Sequence, residues 1–444
     1  RVYGPIIAHG IAWWHGTEGN YWGHNAIIRT RAFAEQAGLP PLPGRKPFGG
    51  HILSHDFVEA ALMRRGGWAI VMVPALSGSY EESPPTFPDF AVRDRRWCQG
   101  NLQHAKVLPA RGLHWVSRLH LLTGIGAYLT APIWLLFLVA GALISLQARF
   151  IPPTYFTAEF SLFPQWPAQD PERAIWVFVG TMAALLAPKL MGYIALLLNR
   201  NVRRGCGGGV RAGLSVLLES VIAGLIAPFA MLLQSAAVAA ILGGRDSGWQ
   251  PQRRGDGSIP FRQMVLLYWP HTLFGVAFGI GAYAVSWSLF LWMSPVILGL
   301  VLAVPLATLT SHRGLGQALR RCGLFLTPEE TAPPPVLARV QALQAELVAA
   351  AATMPASVRD LLADPQLVEA HRRMLPPPRQ RRADPVDADL LVGLIKIEEA
   401  DTLDEALSAL SPRETAAVLA DPRGLDLLTA LGSPPPPPHQ RAAG

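Results

Sequence analysis

The stretch Ile125–Leu146, IGAYLTAPIWLLFLVAGALISL, runs for 22 residues without a charged side chain. A bilayer crossing takes about 20 apolar residues, so this stretch has membrane length. Three more follow it. Ile175–Leu198 carries one charge, Lys189, beside Pro188. Ser220–Leu242 is uncharged, with Pro228 near its middle. Met264–Thr310 has no Asp, Glu, Lys or Arg over 47 residues, room for two helices. The 444-residue chain is 50% hydrophobic and 16% charged, where soluble domains are about 25% charged. Its mean hydropathy is +0.27. These values describe an integral membrane protein with soluble parts.

Arginine placement orients the spans, because cytoplasmic loops carry excess Lys and Arg. Arg200, Arg203, Arg204 and Arg211 lie between the second and third stretches; Arg245, Arg253, Arg254 and Arg262 lie between the third and fourth. Arg313, Arg320 and Arg321 follow the fourth. Segment 147–174 has Arg149 and Arg173 against Glu159, Asp170 and Glu172, and reads as facing outward. Both loops beside the third stretch thus read as cytoplasmic, and one straight span cannot join them. Pro228 offers a break, so Leu214–Leu242 is expected as a broken helical hairpin or an interfacial helix rather than a single span. Crossings are then even in number and both ends cytoplasmic. The net charge of +7 is explained by these loops, so no nucleic-acid partner is expected. Cys98, Cys206 and Cys322 show neither zinc spacing nor a disulfide framework and read as reduced thiols.

Residues 1–112 are soluble in character. Their opening has no signal-peptide pattern and reads like the middle of a folded domain, as expected of a C-terminal fragment. Asp56–Arg65 has a helix's acidic start and basic end, and Gly66-Gly67 stops it. Trp68–Pro74 reads as a short buried strand, and Asp89–His104 as another helix. Alternating helix and strand predicts an α/β domain over 1–112, a membrane region over 113–323 and a mostly helical soluble tail over 324–444. In the tail, 331–335 is a Pro-rich linker, Val336–Ala352 and Pro385–Leu431 read as helices, and Pro434–Pro438 reads as disordered.

Two motifs precede the first span. In Ser54-His55-Asp56-Phe57, Asp56 suits both a helix N-terminus and a general base that takes a proton from a hydroxyl. In Arg93-Asp94-Arg95-Arg96-Trp97, the arginines and aromatic either anchor a helix at the membrane surface or serve a site. In a site, Trp97 would pack on a sugar ring while Arg96 holds a diphosphate through bidentate bonds. His51 and His55 have a zinc-compatible spacing, but no Glu follows His51 and a third ligand is missing. Gly205-Cys206-Gly207-Gly208-Gly209 lacks the Lys-Ser/Thr of a phosphate loop. Glu219 reads as an ionisable group at a cytoplasmic helix end, within reach of Arg211.

These residues resemble the C-terminal half of the glucans biosynthesis glucosyltransferase H family, membrane-bound family-2 glycosyltransferases. The resemblance runs through residues 23–29, 53–62, 81–85 and 93–101, then through 218–220 and Gly244-Arg245-Asp246-Ser247-Gly248-Trp249. It implies a glycosyltransferase-A domain, UDP-glucose as donor, a divalent metal (Mg or Mn), and inverting transfer to a growing glucan. The product is the β-linked backbone of osmoregulated periplasmic glucans, made at the bacterial inner membrane, where periplasmic glucan-processing proteins are possible partners. By position Asp56 matches the catalytic base, and Arg96 and Trp97 match the end of the Gln-x-x-Arg-Trp motif, with Arg93 in the Gln position. His24, Asn25 and His55 join Arg93, Arg96 and Trp97 as substrate-binding candidates. The metal-holding Asp-x-Asp has no match in residues 1–55 and is expected upstream, so this chain alone is expected to be inactive. Trp249, Gln252, Arg253 and Arg254 are gating-loop candidates, against the plainer reading of a positive-inside loop. The alternatives are a cellulose- or hyaluronan-type synthase and a non-catalytic transporter or scaffold.

Overall fold

The computed structural model describes residues 1–151, 171–246, 258–351, 357–375 and 387–432. The chain divides into two compact units, Arg1–Val336 and Leu337–Gly444. The first begins with α1 (Gly4–His15), α2 (Thr30–Gln36), α3 (His55–Arg65) and α4 (Phe87–Val107). Long apolar helices follow: α5 (Trp115–Phe150), α6 (Pro171–Leu198), the short α7 (Arg200–Gly205), α8 (Gly209–Leu242) and α9 (Phe261–Val285). Next come α10 (Trp287–Val301), α11 (Ala303–Thr310), α12 (Arg313–Arg321), α13 (Pro328–Thr331) and α14 (Pro335–Ala351). All but the first two residues of α14, and helices α15 (Val358–Ala363), α16 (Pro365–Met374), α17 (Ala388–Glu398), α18 (Leu403–Ala409), α19 (Pro412–Leu419) and α20 (Pro422–Gly432), belong to the second unit.

Local sequence accounts for the helices that carry the motifs. Ser54 is the N-cap of α3, Asp56 lies in its first turn, and Arg64 and Arg65 lie in its last, each charge matched to the helix dipole. Gly67 takes φ +87°, and its N–H donates to the Arg64 carbonyl, closing the helix. Thr86 caps α4 by accepting the Asp89 N–H, and Pro88 occupies the first turn, where no backbone donor is needed. Between these helices lies a core of Ile52, Val58, Ala61, Leu62, Val107, Leu113 and Leu121.

Four helices (α5, α6, α8 and α9) are long and apolar enough to cross a membrane, and the bent pair α10–α11 makes a fifth when counted as one span. Helix α5 has 36 residues, about 54 Å at helical rise, longer than a hydrocarbon core of about 30 Å. Its first turns instead pack on the soluble part, burying Val116, Ser117 and Leu121. The stretch Met264–Thr310 forms two segments that close on each other through small residues. A Cβ on Gly275 of α9 would lie 2.6 Å from Leu300 Cβ of α10, so glycine sets that approach.

Two expectations are corrected. No strand forms among the described residues, so the α/β reading of 1–112 is not met there. Trp68–Pro74 makes a single parallel bridge, Glu18 to Ile70, and leaves Val71 and Val73 more than half exposed. Alternation of apolar residues is a strand signal only when a neighbouring chain pairs along it. The broken hairpin is also absent: α8 is one 34-residue helix with Pro228 inside. Glycine on α10 makes room for the proline turn, since a Cβ on Gly299 would lie 2.4 Å from the Leu225 carbonyl oxygen and 3.0 Å from Pro228 Cγ. A neighbouring helix thus supports the turn that proline weakens. The hairpin falls away, and the other expected arrangement, an interfacial helix, keeps the even count of crossings.

Candidate active site

Asp56 opens α3 beneath a loop that only glycine can supply. Gly23 adopts φ +81°, and a Cβ there would lie 2.4 Å from Asp56 Oδ1. The loop is held from the far side: His24 Nδ1 lies 2.6 Å from Glu81 Oε2, and the Ser79 hydroxyl donates to Asn25 Oδ1. Trp22 packs edge-on against Phe57, the residue after Asp56, at 6.2 Å between ring centroids. Burial raises the Asp56 carboxyl above the ordinary carboxylate range; Glu59 adds to the rise, while His55 and His24 oppose it. A carboxylate made more basic, and still partly accessible, is the equipment of a proton acceptor.

The turn that aims Asp56 is built on α4. A Cβ on Gly100 would lie 2.2 Å from Ser54 Oγ, so glycine lets the α3 cap rest against α4. Gln103 Oε1 accepts the Leu53 N–H at 3.0 Å, and its Nε2 donates to the Pro47 carbonyl, also at 3.0 Å. His104 Nε2 donates to the Ser54 carbonyl at 2.8 Å, and burial lowers the His104 pKa, keeping the ring neutral. Trp97 lies one turn before Gly100. Its ring packs against the cluster of Cys98, Leu102, Tyr128, Val238 and Ile241, which joins α4, α5 and α8. Arg93 sits 4.4 Å over the Trp97 ring and 5.8 Å over Phe90, so its guanidinium covers one face of the indole. Arg96 is half-buried and forms no ion pair with the described residues.

Several residues that build this region were not singled out from sequence. Asp94, between the motif arginines, accepts from the Tyr128 hydroxyl at 3.0 Å and from Gln234 Nε2 at 3.1 Å, fastening α4 to α5 and α8. Asp246, just past α8, accepts from Lys46 Nζ at 2.9 Å and Gln99 Nε2 at 2.8 Å. That places the entrance to segment 247–257 against α4. The gating-loop candidates Trp249, Gln252, Arg253 and Arg254 lie outside the described residues. Glu59 and Tyr21 also escaped notice, although His55 and Glu59 share a helix face at a spacing of four.

His55, Asp56 and Glu59 bring ligand atoms within 4.8 Å of one another, the geometry a cation needs. They do not fit one as arranged. Both Glu59 oxygens are taken, one by the Tyr21 hydroxyl and one by His55 Nδ1. His51 precedes α3 rather than lying on it, so the His51–His55 spacing places no ligand pair on one helix face.

A partly buried carboxylate and a Trp-bearing helix packed on its turn thus lie in the same unit as apolar helices of membrane length. Residues 16–188 match the model of glycosyl transferase family group 2. Over 434 residues the chain is 57% identical to glucans biosynthesis glucosyltransferase H of Rhodopseudomonas palustris (strain TIE-1), covering 97% of this chain and 59% of that protein. The namesake protein of Bradyrhizobium diazoefficiens is 55% identical over 423 residues, 95% of this chain and 55% of its own length. That of Shewanella sp. (strain ANA-3) is 49% identical over 432 residues, 97% and 59% respectively. No solved structure matches the chain. The chain is thus similar to the glucans biosynthesis glucosyltransferase H proteins and spans somewhat under three fifths of the length of these relatives.

Proposed function

We propose that this chain carries the acceptor side of an inverting glucosyltransferase that builds the β-linked backbone of osmoregulated periplasmic glucans from UDP-glucose. The observation that carries this reading is Asp56. Its carboxyl is raised by burial, backed by Gly23, and set beside a helix bearing Arg96 and Trp97. Asp56 removes the proton from the hydroxyl of the growing glucan. The oxygen attacks the anomeric carbon of glucose, the bond to UDP breaks, and configuration inverts. Arg96, which is not paired with a carboxylate among the described residues, is suited to the departing diphosphate. His24 and His55 border the carboxylate, Asn25 follows His24 in the same loop, and all three contribute to acceptor binding. Trp97 supports the acceptor beside the apolar helices, with Arg93 stacked on it. A divalent metal, expected of this family, neutralises diphosphate charge when bound; no residue of this chain is assigned to it. Trp249, Gln252, Arg253 and Arg254 are proposed to close over the donor. The enzyme is placed in the bacterial inner membrane with its soluble parts cytoplasmic.

The test is Asp56→Asn in the membrane-embedded enzyme supplied with radiolabelled UDP-glucose. Glucosyl transfer should fall by about 10²–10⁴-fold while donor binding persists, the usual worth of a general base. Undiminished transfer would falsify the assignment. The raised carboxyl also sets the sign of the pH dependence: the acid limb of kcat/KM should lie above the ordinary carboxylate value of about 4.

A further inference from the structure

Glu59 is a carboxylate in the wrong place for a core. It lies in a stretch of α3, Val58 to Met63, that is buried throughout, and is 6% exposed. Burying a carboxylate is unfavourable unless hydrogen bonds satisfy it. Here both oxygens are satisfied, and both partners face the site. The Tyr21 hydroxyl, from the segment before Gly23, donates to Oε2. His55 Nδ1 donates to Oε1 at 2.8 Å. The same Nδ1 lies 3.5 Å from Asp56 Oδ1. Hydrogen bonds therefore link Tyr21, Glu59 and His55, and the imidazole so held lies beside the Asp56 carboxylate.

We propose that Glu59 and Tyr21 are positioning residues that pin the His55 imidazole so that its Nδ1 edge faces the Asp56 carboxylate. This rests on Asp56 being the base. A free histidine at a half-exposed helix start samples several rotamers; one held by a buried carboxylate presents a single edge. Held there, His55 opposes the rise that burial imposes on the Asp56 carboxyl. The groups facing Asp56 are His55 and Glu59 on its own helix, His24 from the glycine loop, and the Tyr21 hydroxyl near Glu59. Glu81 pairs with His24 rather than with Asp56.

The opposed signs of these influences make the idea testable. Glu59 itself disfavours the Asp56 carboxylate, so simple loss of its charge would move the acid limb of kcat/KM to lower pH. If Glu59 acts through His55, Glu59→Gln releases the imidazole and the limb moves to higher pH, by up to about one unit. The same variant should lower kcat about tenfold with the KM for UDP-glucose unchanged, as expected for an interaction made at the reacting group. Tyr21→Phe removes one hydroxyl and should shift the limb in the same direction by less. A limb that stays put or moves down in both variants overturns the proposal. Should Glu59→Gln fail to accumulate in membranes, Tyr21→Phe decides alone by the same criterion. The two readings fail separately. An Asp56→Asn enzyme that still transfers glucose removes the base; an inactive Asp56→Asn with an unmoved limb in Glu59→Gln removes only the positioning chain.

Discussion

At the scale of single residues, the site is defined as much by missing atoms as by charged ones. Gly23 and Gly100 each occupy a place where a Cβ would strike the turn that carries Asp56, one at the Asp56 carboxylate and one at Ser54. Gly23 carries the added constraint of φ +81°, a backbone region that alanine enters only with strain. Asp56 is too short to swing clear, so an added methyl must displace the carboxylate or the loop. Gly23→Ala should therefore lower kcat by about 100-fold, the cost of roughly 1 Å of misplacement at a reacting group. Because the change falls on the proposed base rather than on the proposed donor, the KM for UDP-glucose should hold. Steady-state kinetics on membranes containing the variant checks this, and an unchanged kcat would show that the loop yields freely.

At the scale of elements, what could be read from sequence was what neighbours do not decide. Helices α3 and α4 were legible because caps, dipole-matched charges and stop glycines are local. The apolar helices were legible because twenty uncharged residues need no partner to be recognised. The strand at Trp68–Pro74 was misread because pairing depends on another segment, and only Glu18 bridges to it. The hairpin at Pro228 was misread because the glycine that supports the turn, Gly299, lies on α10. In the site, Asp56 showed through its motif, whereas Gly23 and Glu59 matter through contacts from distant residues. Straightening α8 returns the arginine conflict in a new form. The C-terminal half of α8 does not run away from the soluble part: Phe229 meets Phe87, Gln234 bonds Asp94, and Val238 and Ile241 pack with Cys98 and Leu102 along α4. With arginines at both ends, we expect α8 to lie along the cytoplasmic face rather than cross. Cys98 and Cys206 are buried and Cys322 is exposed, so single cysteines belong in a Cys322→Ser background. Arg200→Cys and Arg262→Cys should then both react with a membrane-impermeant maleimide from the cytoplasmic side. Labelling from opposite sides would make α8 a span.

At the scale of the whole molecule, the second unit has a core of its own. Ile397, Ala406, Leu410, Val418 and Leu428 are buried together, drawn from α17 to α20 and the turn after α18. Such short helices gain little stability alone, so packing and closing contacts must hold them. One contact recurs at the edge of this core. Lys396 Nζ donates to both oxygens of Glu414, at 3.0 and 2.7 Å, and also to the Ala409 carbonyl at 3.0 Å. Glu414 in turn accepts the Ser411 N–H at 2.7 Å, completing the capping box that starts α19. One carboxylate thus joins α17 to α19 and starts a helix. The Lys396 bond, with the Ser411 N–H behind it, holds the Glu414 carboxyl below the ordinary range. The sign follows from linkage: a lowered folded pKa gives stability that is present above the ordinary Glu value and is lost as pH falls through the folded one. Glu414→Gln should therefore make residues 387–432 more sensitive to limited proteolysis at neutral pH than the parent chain. Acidification should erase the difference, because the parent's carboxylate is then protonated as well. Glucosyl transfer should be unaffected, since Asp56 and the helices that aim it lie in the first unit with a separate core. Equal protease resistance at neutral pH would mean that apolar packing alone holds α17 against α19.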